Sequence, residues 1–288
     1  MRTERAPAKI NLTLRVLGRR ADGYHELESL VAFAGVCDHL SLDPSKPFGL
    51  VVEGPTAGEA GPDADNLVLR AVRALQERVP DLKLGLFTLK KRLPVGAGVG
   101  GGSSDAAAAL RLVAQLNALT PDDPRLFEAA AQTGSDIPVC LVPTARMFRG
   151  RGEKVGPRIN LPPLAAVLVN PVVHIATPDV FRGLGLRAGE SGPSSGPGEP
   201  EFAGDIRGLV QSFARDANDL EPVAERLAPV VTDVLAALRG AEGVRFVRMS
   251  GSGATVFGLF DNCRDAMRAA KALRTSHPNW WIKPTVLR

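Results

Sequence analysis

Apolar and polar side chains alternate near the start of the chain. In "KINLTLRVLG" the apolar positions are Ile10, Leu12, Leu14 and Val16. A period of two residues is typical of a β-strand with one buried face. We therefore predict a strand that ends at Gly18, followed by a turn at residues 22–23 and more extended structure.

A helical period appears further along. In "DNLVLRAVRALQER" the apolar positions at helical spacing are Leu67, Ala71, Ala74 and Leu75. Asp65 or Asn66 is placed to cap this helix. The segment "KLGLFTLKKRLP" predicts a strand that ends at Pro94, and "PDDPRLFEAAAQTG" predicts a second helix that Gly134 stops.

The second half of the chain mixes extended and helical patterns. The apolar run "LAAVLVNP" at residues 164–171 predicts a strand, and "DLEPVAERL" predicts a helix. Near the C-terminus the strands "RFVRM" and "ATVFGLF" precede the helix "CRDAMRAAKALR" and the strand "WWIKPTVL". This order favours an α+β sandwich with an antiparallel sheet. Residues 186–204 are rich in Gly, Ser, Pro and Glu, so we predict a mobile loop there.

A glycine-rich stretch, "GAGVGGGSSD", follows the strand that ends at Pro94. Gly96, Gly98 and Gly101 fit the dinucleotide pattern G-x-G-x-x-G, but Pro94 separates the strand from the first glycine. A P-loop match also fails, because Gly102 stands where that motif has its lysine. Both motifs share one property: glycines let backbone N–H groups converge on an anion at the start of a helix.

A helix should begin directly after these glycines. Ser103 or Ser104 is placed as its N-cap, and Asp105 suits the positive end of the helix dipole. We therefore predict an anion-binding loop. The alternative is a flexible surface loop, which would not need five glycines beside a strong cap.

Composition places the chain among globular proteins. It has 288 residues, of which 44% are hydrophobic and 23% charged, so we expect two domains with ordinary cores. The net charge is +4, but Lys and Arg are scattered along the chain. Nucleic-acid binding needs a clustered basic face, so we expect no nucleic-acid partner and favour a small anion.

The cysteines indicate a reducing compartment. Cys37, Cys140 and Cys263 are odd in number and far apart, which argues against a disulfide framework and a zinc site. The N-terminus does not resemble a secretory leader, and no segment approaches the roughly 18 apolar residues of a membrane helix. We expect a cytoplasmic protein with no membrane partner.

Asp136 is the strongest candidate for chemistry. It lies in "TGSDIPVC", where an unpaired carboxylate is costly among apolar neighbours. Lys9, in "PAKIN", is a candidate partner. An ordinary buried ion pair would explain both residues equally well. Tyr24 and His25 in "GYHE" could likewise form an ordinary edge of the core.

Three motifs resemble the GHMP kinase superfamily, small-molecule kinases that hold ATP with a glycine loop. They are "APAKINLTLRVLGRRADGYHELESL", "PVGAGVGGGSSDAAAAL" and "MSGSGATVFGLF", and the resemblance covers nearly the whole chain. It implies an α+β fold with an N-terminal half like ribosomal protein S5 domain 2 and a ferredoxin-like C-terminal half. We expect domains at residues 1–158 and 159–288, with ATP and substrate in the cleft between them.

The first motif is similar to the branch of the superfamily with a cytidine-containing substrate. That resemblance implies transfer of phosphate from ATP, with Mg²⁺, to the 2-hydroxyl of 4-diphosphocytidyl-2-C-methyl-D-erythritol, in the non-mevalonate isoprenoid pathway. The rivals are another GHMP kinase, acting on homoserine, mevalonate or a sugar, and a non-catalytic nucleotide- or RNA-binding module. The motifs leave the metal ligands and the oligomeric state unknown.

The resemblance also implies roles for individual residues. Asp136 would be the general base and Lys9 would steady the charge. The residues implied for ATP are Pro94, Val95, Gly96, Ala97, Gly98, Val99, Gly100, Gly101, Gly102, Ser103 and Ser104 in the loop, with Asp65 and Asn66 near the adenine. The residues implied for the substrate are Asn11, Tyr24, His25, Thr177, Phe181, Gly251 and Ser252, with the three aromatic rings around cytosine. The chain departs from the family at Pro143 and Thr144, where a Gly-Gly pair is usual.

Overall fold

The structure is a computed structural model that describes residues 1–59, 66–194 and 206–288. The chain forms two compact units that interleave along the sequence. The first unit consists of Met1–Lys9, Val36–Val95 and Gly100–Pro143, and the second of Ile10–Gly35, Gly96–Val99 and Thr144–Arg288. The predicted boundary between residues 158 and 159 stays a prediction.

The secondary structure of the described residues follows in chain order. The strands are β1 (Arg2–Asn11), β2 (Arg15–Arg19), β3 (His25–Asp43), β4 (Gly49–Glu53), β5 (Leu86–Lys90), β6 (Arg146–Gly150), β7 (Lys154–Arg158), β8 (Leu164–Asn170), β9 (Val244–Met249), β10 (Val256–Phe260) and β11 (Trp281–Leu287). The α-helices are α1 (Leu67–Gln76), α2 (Gly101–Leu116), α3 (Pro124–Thr133), α4 (Ile137–Leu141), α5 (Thr177–Arg182), α6 (Ile206–Arg215), α7 (Glu221–Leu227), α8 (Val230–Arg239) and α9 (Cys263–Ser276).

The first unit combines a small mixed sheet with four helices. Strand β4 pairs in parallel with β5, and β5 pairs antiparallel with the end of β3. Helices α1, α2, α3 and α4 pack on one another. The predicted caps of two helices are confirmed: the Asn66 side chain accepts a hydrogen bond from the Val68 N–H at the start of α1, and Gly134 follows α3.

The N-terminal alternation gave a wrong prediction. The structure has two strands, β1 and β2, instead of one, and β2 runs past Gly18 to Arg19. Residues 8–16 are all buried, so neither face is a solvent face. The polar side chains between the apolar ones are held by hydrogen bonds instead. Asn11, for example, donates to Ser29, and Arg15 donates to Glu28.

The second unit contains the predicted antiparallel sheet. Its strand order β11-β8-β10-β9 is antiparallel at every pair, and α8 and α9 pack on it. The predicted β-β-α-β order at the C-terminus is therefore confirmed. Helix α8 was missed, although Val231, Val234, Leu235 and Leu238 have helical spacing and are buried.

Two further observations concern expectations from the sequence. Of the loop predicted at 186–204, residues 195–204 lie outside the described residues, and the mobility of that loop stays a prediction. None of the helices in the described ranges combines the length and apolar character that a membrane crossing requires.

Candidate active site

The structure brings Lys9 and Asp136 together. Lys9 lies near the end of β1, Asp136 directly precedes α4, and Nζ of Lys9 donates to Oδ2 of Asp136 at 2.6 Å. The Lys9 side chain is 4% exposed and that of Asp136 is 34% exposed. A buried ammonium therefore supports a carboxylate that is open to solvent. The arrangement fits a base that exchanges protons with a bound molecule.

Gly100 makes room for the Lys9 side chain. Its φ of 59° lies in the left-handed region, and it directly precedes α2. A Cβ at this position would lie 3.2 Å from Cβ and Cε of Lys9. The glycine thus lets the start of the helix approach the lysine closely.

The predicted serine cap is wrong. Helix α2 begins at Gly101, two residues before Ser103, with Gly100 as N-cap and no side-chain capping bond. Ser104 lies inside the first turn, where its hydroxyl donates to the Pro7 carbonyl at 2.6 Å. Because no side chain caps this end, the first N–H groups of α2 are left for an anion.

Residues Gly96–Val99 pack closely against the turn at 250–255. The Ser250 hydroxyl donates to the Gly98 carbonyl at 2.9 Å, and the Thr255 N–H donates to the Ala97 carbonyl at 3.2 Å. A Cβ at Gly98 would lie 2.8 Å from the Gly253 nitrogen and closer still to the Ser250 oxygen. Glycine is required here because two backbone segments touch.

Four residues predicted to bind substrate lie beside this turn or on it. The Asn11 N–H donates to the Ser250 hydroxyl at 3.1 Å, and the hydroxyls of Thr177 and Ser252 are 2.8 Å apart. Oδ1 of Asn11 is buried and has no hydrogen-bond partner among the described residues. A Cβ at Gly251 would lie 3.4 Å from that oxygen. The group therefore offers an unused acceptor.

The aromatic residues form a second group in the same unit. The rings of His25 and Phe181 stack with centroids 4.8 Å apart and an interplanar angle of 28°. Tyr24 is 54% exposed, and the Arg151 guanidinium lies 4.7 Å from its ring centroid. Burial, and secondarily the charge of Arg19, lower the pKa of His25. Its Nε2 is buried with no partner among the described residues, so one imidazole nitrogen keeps an unused hydrogen-bonding capacity.

Other predicted residues are not joined to these groups. Asn66 caps α1, which accounts for its side chain, and Asp65 lies outside the described residues. Cys140 is close to Ser104, at 3.5 Å between Sγ and Oγ, and burial raises the pKa of its thiol to about 11. The thiol is therefore not a nucleophile at neutral pH.

One segment at the site was missed from the sequence. Asn218 donates through Nδ2 to the carbonyls of Met249 and Gly251, both at 2.8 Å. Glu221 accepts from the Met249 N–H at 2.7 Å. These bonds hold the glycine turn in place. In the sequence these residues appear only as "NDLE" before a predicted helix, a pattern that is typical of an ordinary helix start.

A buried charged cluster was also missed. Nζ of Lys91 donates to Oδ2 of Asp38 at 2.6 Å and to Oδ2 of Asp105 at 2.8 Å. All three side chains are at most 4% exposed. Asp105 lies just after the first turn of α2, so this Lys91 cluster is close to the start of that helix.

The chain is similar to known kinases over its whole length. Residues 66–143 match the family "GHMP kinases N terminal domain" and residues 202–279 match "GHMP kinases C terminal". The 4-diphosphocytidyl-2-C-methyl-D-erythritol kinase of Methylobacterium radiotolerans is 59% identical over 99% of this chain and 98% of its own. The protein of the same name from Azorhizobium caulinodans is 55% identical, with 99% and 98% covered.

Solved structures agree with these matches. A crystal structure of 4-(cytidine 5'-diphospho)-2C-methyl-D-erythritol kinase has a TM-score of 0.74 at 36% identity and covers 99% of both chains. Homoserine kinase from Cytophaga hutchinsonii has a TM-score of 0.68 at 19% identity, over 99% of this chain and 94% of its own, which shows a common fold alone. The predicted fold class is confirmed.

Proposed function

The chain belongs to the GHMP kinase family, within the group of 4-diphosphocytidyl-2-C-methyl-D-erythritol kinases, and from this membership we propose its reaction. The protein transfers the γ-phosphoryl group of ATP to the 2-hydroxyl of 4-diphosphocytidyl-2-C-methyl-D-erythritol. The products are the 2-phosphate and ADP. The reaction belongs to the methylerythritol phosphate route to isoprenoid precursors.

The contact between Lys9 and Asp136 is the observation that carries the mechanism. Phosphoryl transfer to an alcohol needs a carboxylate that takes the hydroxyl proton and donors that stabilise charge. Asp136 accepts the proton, since its carboxylate is partly exposed. Lys9 holds that carboxylate in place at 2.6 Å and offsets the negative charge that develops nearby. Because the loop has no Walker lysine, the backbone N–H groups at the start of α2 bind the phosphates.

The substrate end is assigned to the aromatic group. Phe181 and Tyr24 present ring faces, and stacking on a base contributes about 1 to 3 kcal/mol. The neutral His25 ring offers its buried nitrogen to an edge of the cytosine. The pair Thr177 and Ser252 and the unused oxygen of Asn11 supply polar contacts to the rest of the substrate.

Mg²⁺ is part of the proposal only as a companion of the nucleotide. Among the described residues there is no group of three or more His, Cys, Asp or Glu side chains that could hold a metal ion. Mg²⁺ commonly binds through substrate phosphates with few protein ligands. The described residues do not fit a protein-built metal site, so no residue is assigned to the ion. The expectations of a cytoplasmic location and of no nucleic-acid partner also stay predictions.

The decisive experiment measures ADP release from ATP and Mg²⁺ with four acceptors. We expect turnover with 4-diphosphocytidyl-2-C-methyl-D-erythritol and none with homoserine, mevalonate or galactose. CMP should compete with the cytidine substrate, because only a site that reads cytosine responds to it. Turnover with one of the other acceptors would replace the proposed substrate. If all four fail while ATP binds, the assignment of the aromatic group is wrong.

A further inference from the structure

The Lys91 cluster joins three elements behind the start of α2. Lys91 directly follows β5, Asp38 lies in β3 and Asp105 lies in α2, just after its first turn. One ammonium thus serves two carboxylates, and the three side chains are between 0% and 4% exposed. If both carboxylates were ionised, the cluster would carry a net charge of −1 in a place from which solvent is excluded. Such a charge is costly, so one carboxyl should hold a proton.

The two carboxyls are not equivalent. Oδ1 of Asp38 accepts the backbone N–H groups of Arg92 and Leu93, so this carboxylate is well satisfied as an anion. Oδ1 of Asp105 is buried and has no partner among the described residues. Burial first, and then the charge of Asp38, raise the pKa of Asp105 to about 7, against the opposing charge of Lys91. Asp105 is therefore the member that binds and releases a proton near neutral pH.

We propose that Asp105 is a positioning residue for ATP binding at the start of α2. While Asp105 is protonated, no extra negative charge lies beside the phosphate site, and loss of the proton weakens ATP binding. The proposal rests on the proposed function, because it takes the start of α2 as the phosphate site. Asp105 lies just after the first turn of α2, so its ionised carboxylate would place a negative charge near the phosphate site. That charge would repel the phosphates of ATP and so weaken their binding.

The surroundings of Asp105 leave few other charges to compensate for it. Among the described residues, Asp38 and Lys91 are the charged groups that act on it. Lys9 of β1 lies against the residue before α2 and is engaged by Asp136. Helix α4 contributes Cys140, whose thiol is un-ionised at neutral pH. The buried side chains of α1 are apolar, and so are those of α3 apart from one threonine.

The test compares wild type with Asp105→Asn, which has the shape of the protonated acid and no charge. Dissociation constants for ATP, with Mg²⁺ and without acceptor, are measured by calorimetry from pH 6 to pH 8. We expect the constant of the wild type to rise about three- to tenfold more than that of Asp105→Asn over this range. The nucleotide's own titration is common to both proteins and cancels. Asp122→Asn, an exposed site in the same unit, should behave as wild type.

The outcomes separate this proposal from the proposed function. Parallel pH curves for wild type and Asp105→Asn, with kinase activity retained, would overturn the proposal and leave the reaction standing. Absence of ATP binding at every pH would overturn both. If Asp105→Asn does not fold, carboxyl NMR of the wild type labelled with ¹³C at aspartate gives the answer. A buried carboxyl must then titrate near pH 7 and shift on adding ATP, and its failure to do so rejects the proposal.

Discussion

Two lysine–aspartate contacts lie in the same unit of this protein and differ in almost every physical respect. Lys9 meets the carboxylate of Asp136, which is 34% exposed. Lys91 meets two, Asp38 and Asp105, which are 0% and 3% exposed. The bond lengths are alike, at 2.6 Å for Lys9 and at 2.6 and 2.8 Å for Lys91. The distances between the ammonium nitrogen and the carboxylate oxygens therefore do not distinguish the Lys9 contact from the Lys91 contacts.

The difference lies in charge balance and access to solvent. The Lys9 contact joins a buried ammonium to a partly exposed carboxylate, which can exchange protons with a bound molecule. The Lys91 cluster has two carboxyls for one ammonium and is buried from solvent. One of these carboxyls therefore gains or loses a proton as the pH changes. A partly exposed carboxylate is suited to proton transfer, whereas a buried cluster of charged groups is suited to holding a loop in place.

The largest effect should come from removing the open carboxylate. We expect Asp136→Asn to lower kcat by about 10³- to 10⁴-fold, because an amide does not accept the hydroxyl proton. The dissociation constant for ATP should stay within about twofold of wild type, since Asp136 is not assigned to the nucleotide. Steady-state kinetics and calorimetry measure the two quantities. Equal loss of turnover and ATP binding would assign Asp136 a structural role.

The next test compares stability at the two lysines. Lys91→Met leaves two buried carboxyls without their cation and should lower the free energy of unfolding by about 3 to 5 kcal/mol. Lys9→Met leaves a carboxylate that solvent still reaches, so we expect about 1 kcal/mol or less. Urea unfolding at pH 7.5 measures both. Similar losses would show that exposure of the aspartate does not separate the two contacts.

A further effect is the pH dependence of stability that Asp105 adds. Its pKa in the folded protein is raised to about 7 from an ordinary 3.8, so the folded state keeps a proton that the unfolded chain has released. Wild type should therefore lose stability relative to Asp105→Asn as pH rises from 4 to 7, at up to about 1.4 kcal/mol per pH unit. Above about pH 8 the difference should be constant, because the folded protein has then released the proton as well. Urea unfolding at four pH values measures it, and a wild type that gains stability relative to Asp105→Asn as pH rises would contradict the sign.

The smallest effect concerns the Cys140 thiol, which lies close to Lys9 and Asp136. Cys140 is buried with its pKa raised to about 11, whereas Cys263 is exposed at the start of α9. With iodoacetamide at pH 8, we expect Cys263 to be modified at least about 100-fold faster than Cys140. Mass spectrometry of timed samples gives both rates. Rapid modification of Cys140 would mean that the region behind Lys9 opens readily.

The sequence predicted the elements with strong periodicity and the residues with an unusual setting. Helices α1 and α3 and the C-terminal β-β-α-β order followed from spacing and caps. The partnership of Lys9 with Asp136 followed from a carboxylate placed among apolar neighbours. The N-cap of α2 was predicted wrongly, because the helix begins at Gly101, two residues before Ser103, and follows Gly100 in a left-handed conformation.

The Lys91 cluster was beyond prediction for a definite reason. Lys91 lies near the end of the predicted strand "KLGLFTLKKRLP", and its two partners lie 53 and 14 residues away. Asp105 looked like a helix-dipole residue, which explains an aspartate at that position without any partner. Only the packing of β3, β5 and α2 brings the three together. Whether a charged side chain is buried depends on tertiary structure, so the local spacing of residues in the sequence does not predict it.

The close contact between Gly98 and the turn at 250–255 has a consequence for variation in this protein. Each backbone occupies the volume that a side chain on the other would need, since a Cβ at Gly98 would meet Gly253 and one at Gly251 would lie 2.9 Å from the Gly98 oxygen. In a saturation-mutagenesis library, tolerance of substitution at position 98 would thus depend on the residue at position 251, and the reverse. Neither would accept a second amino acid unless the other segment shifted, however conservative the replacement.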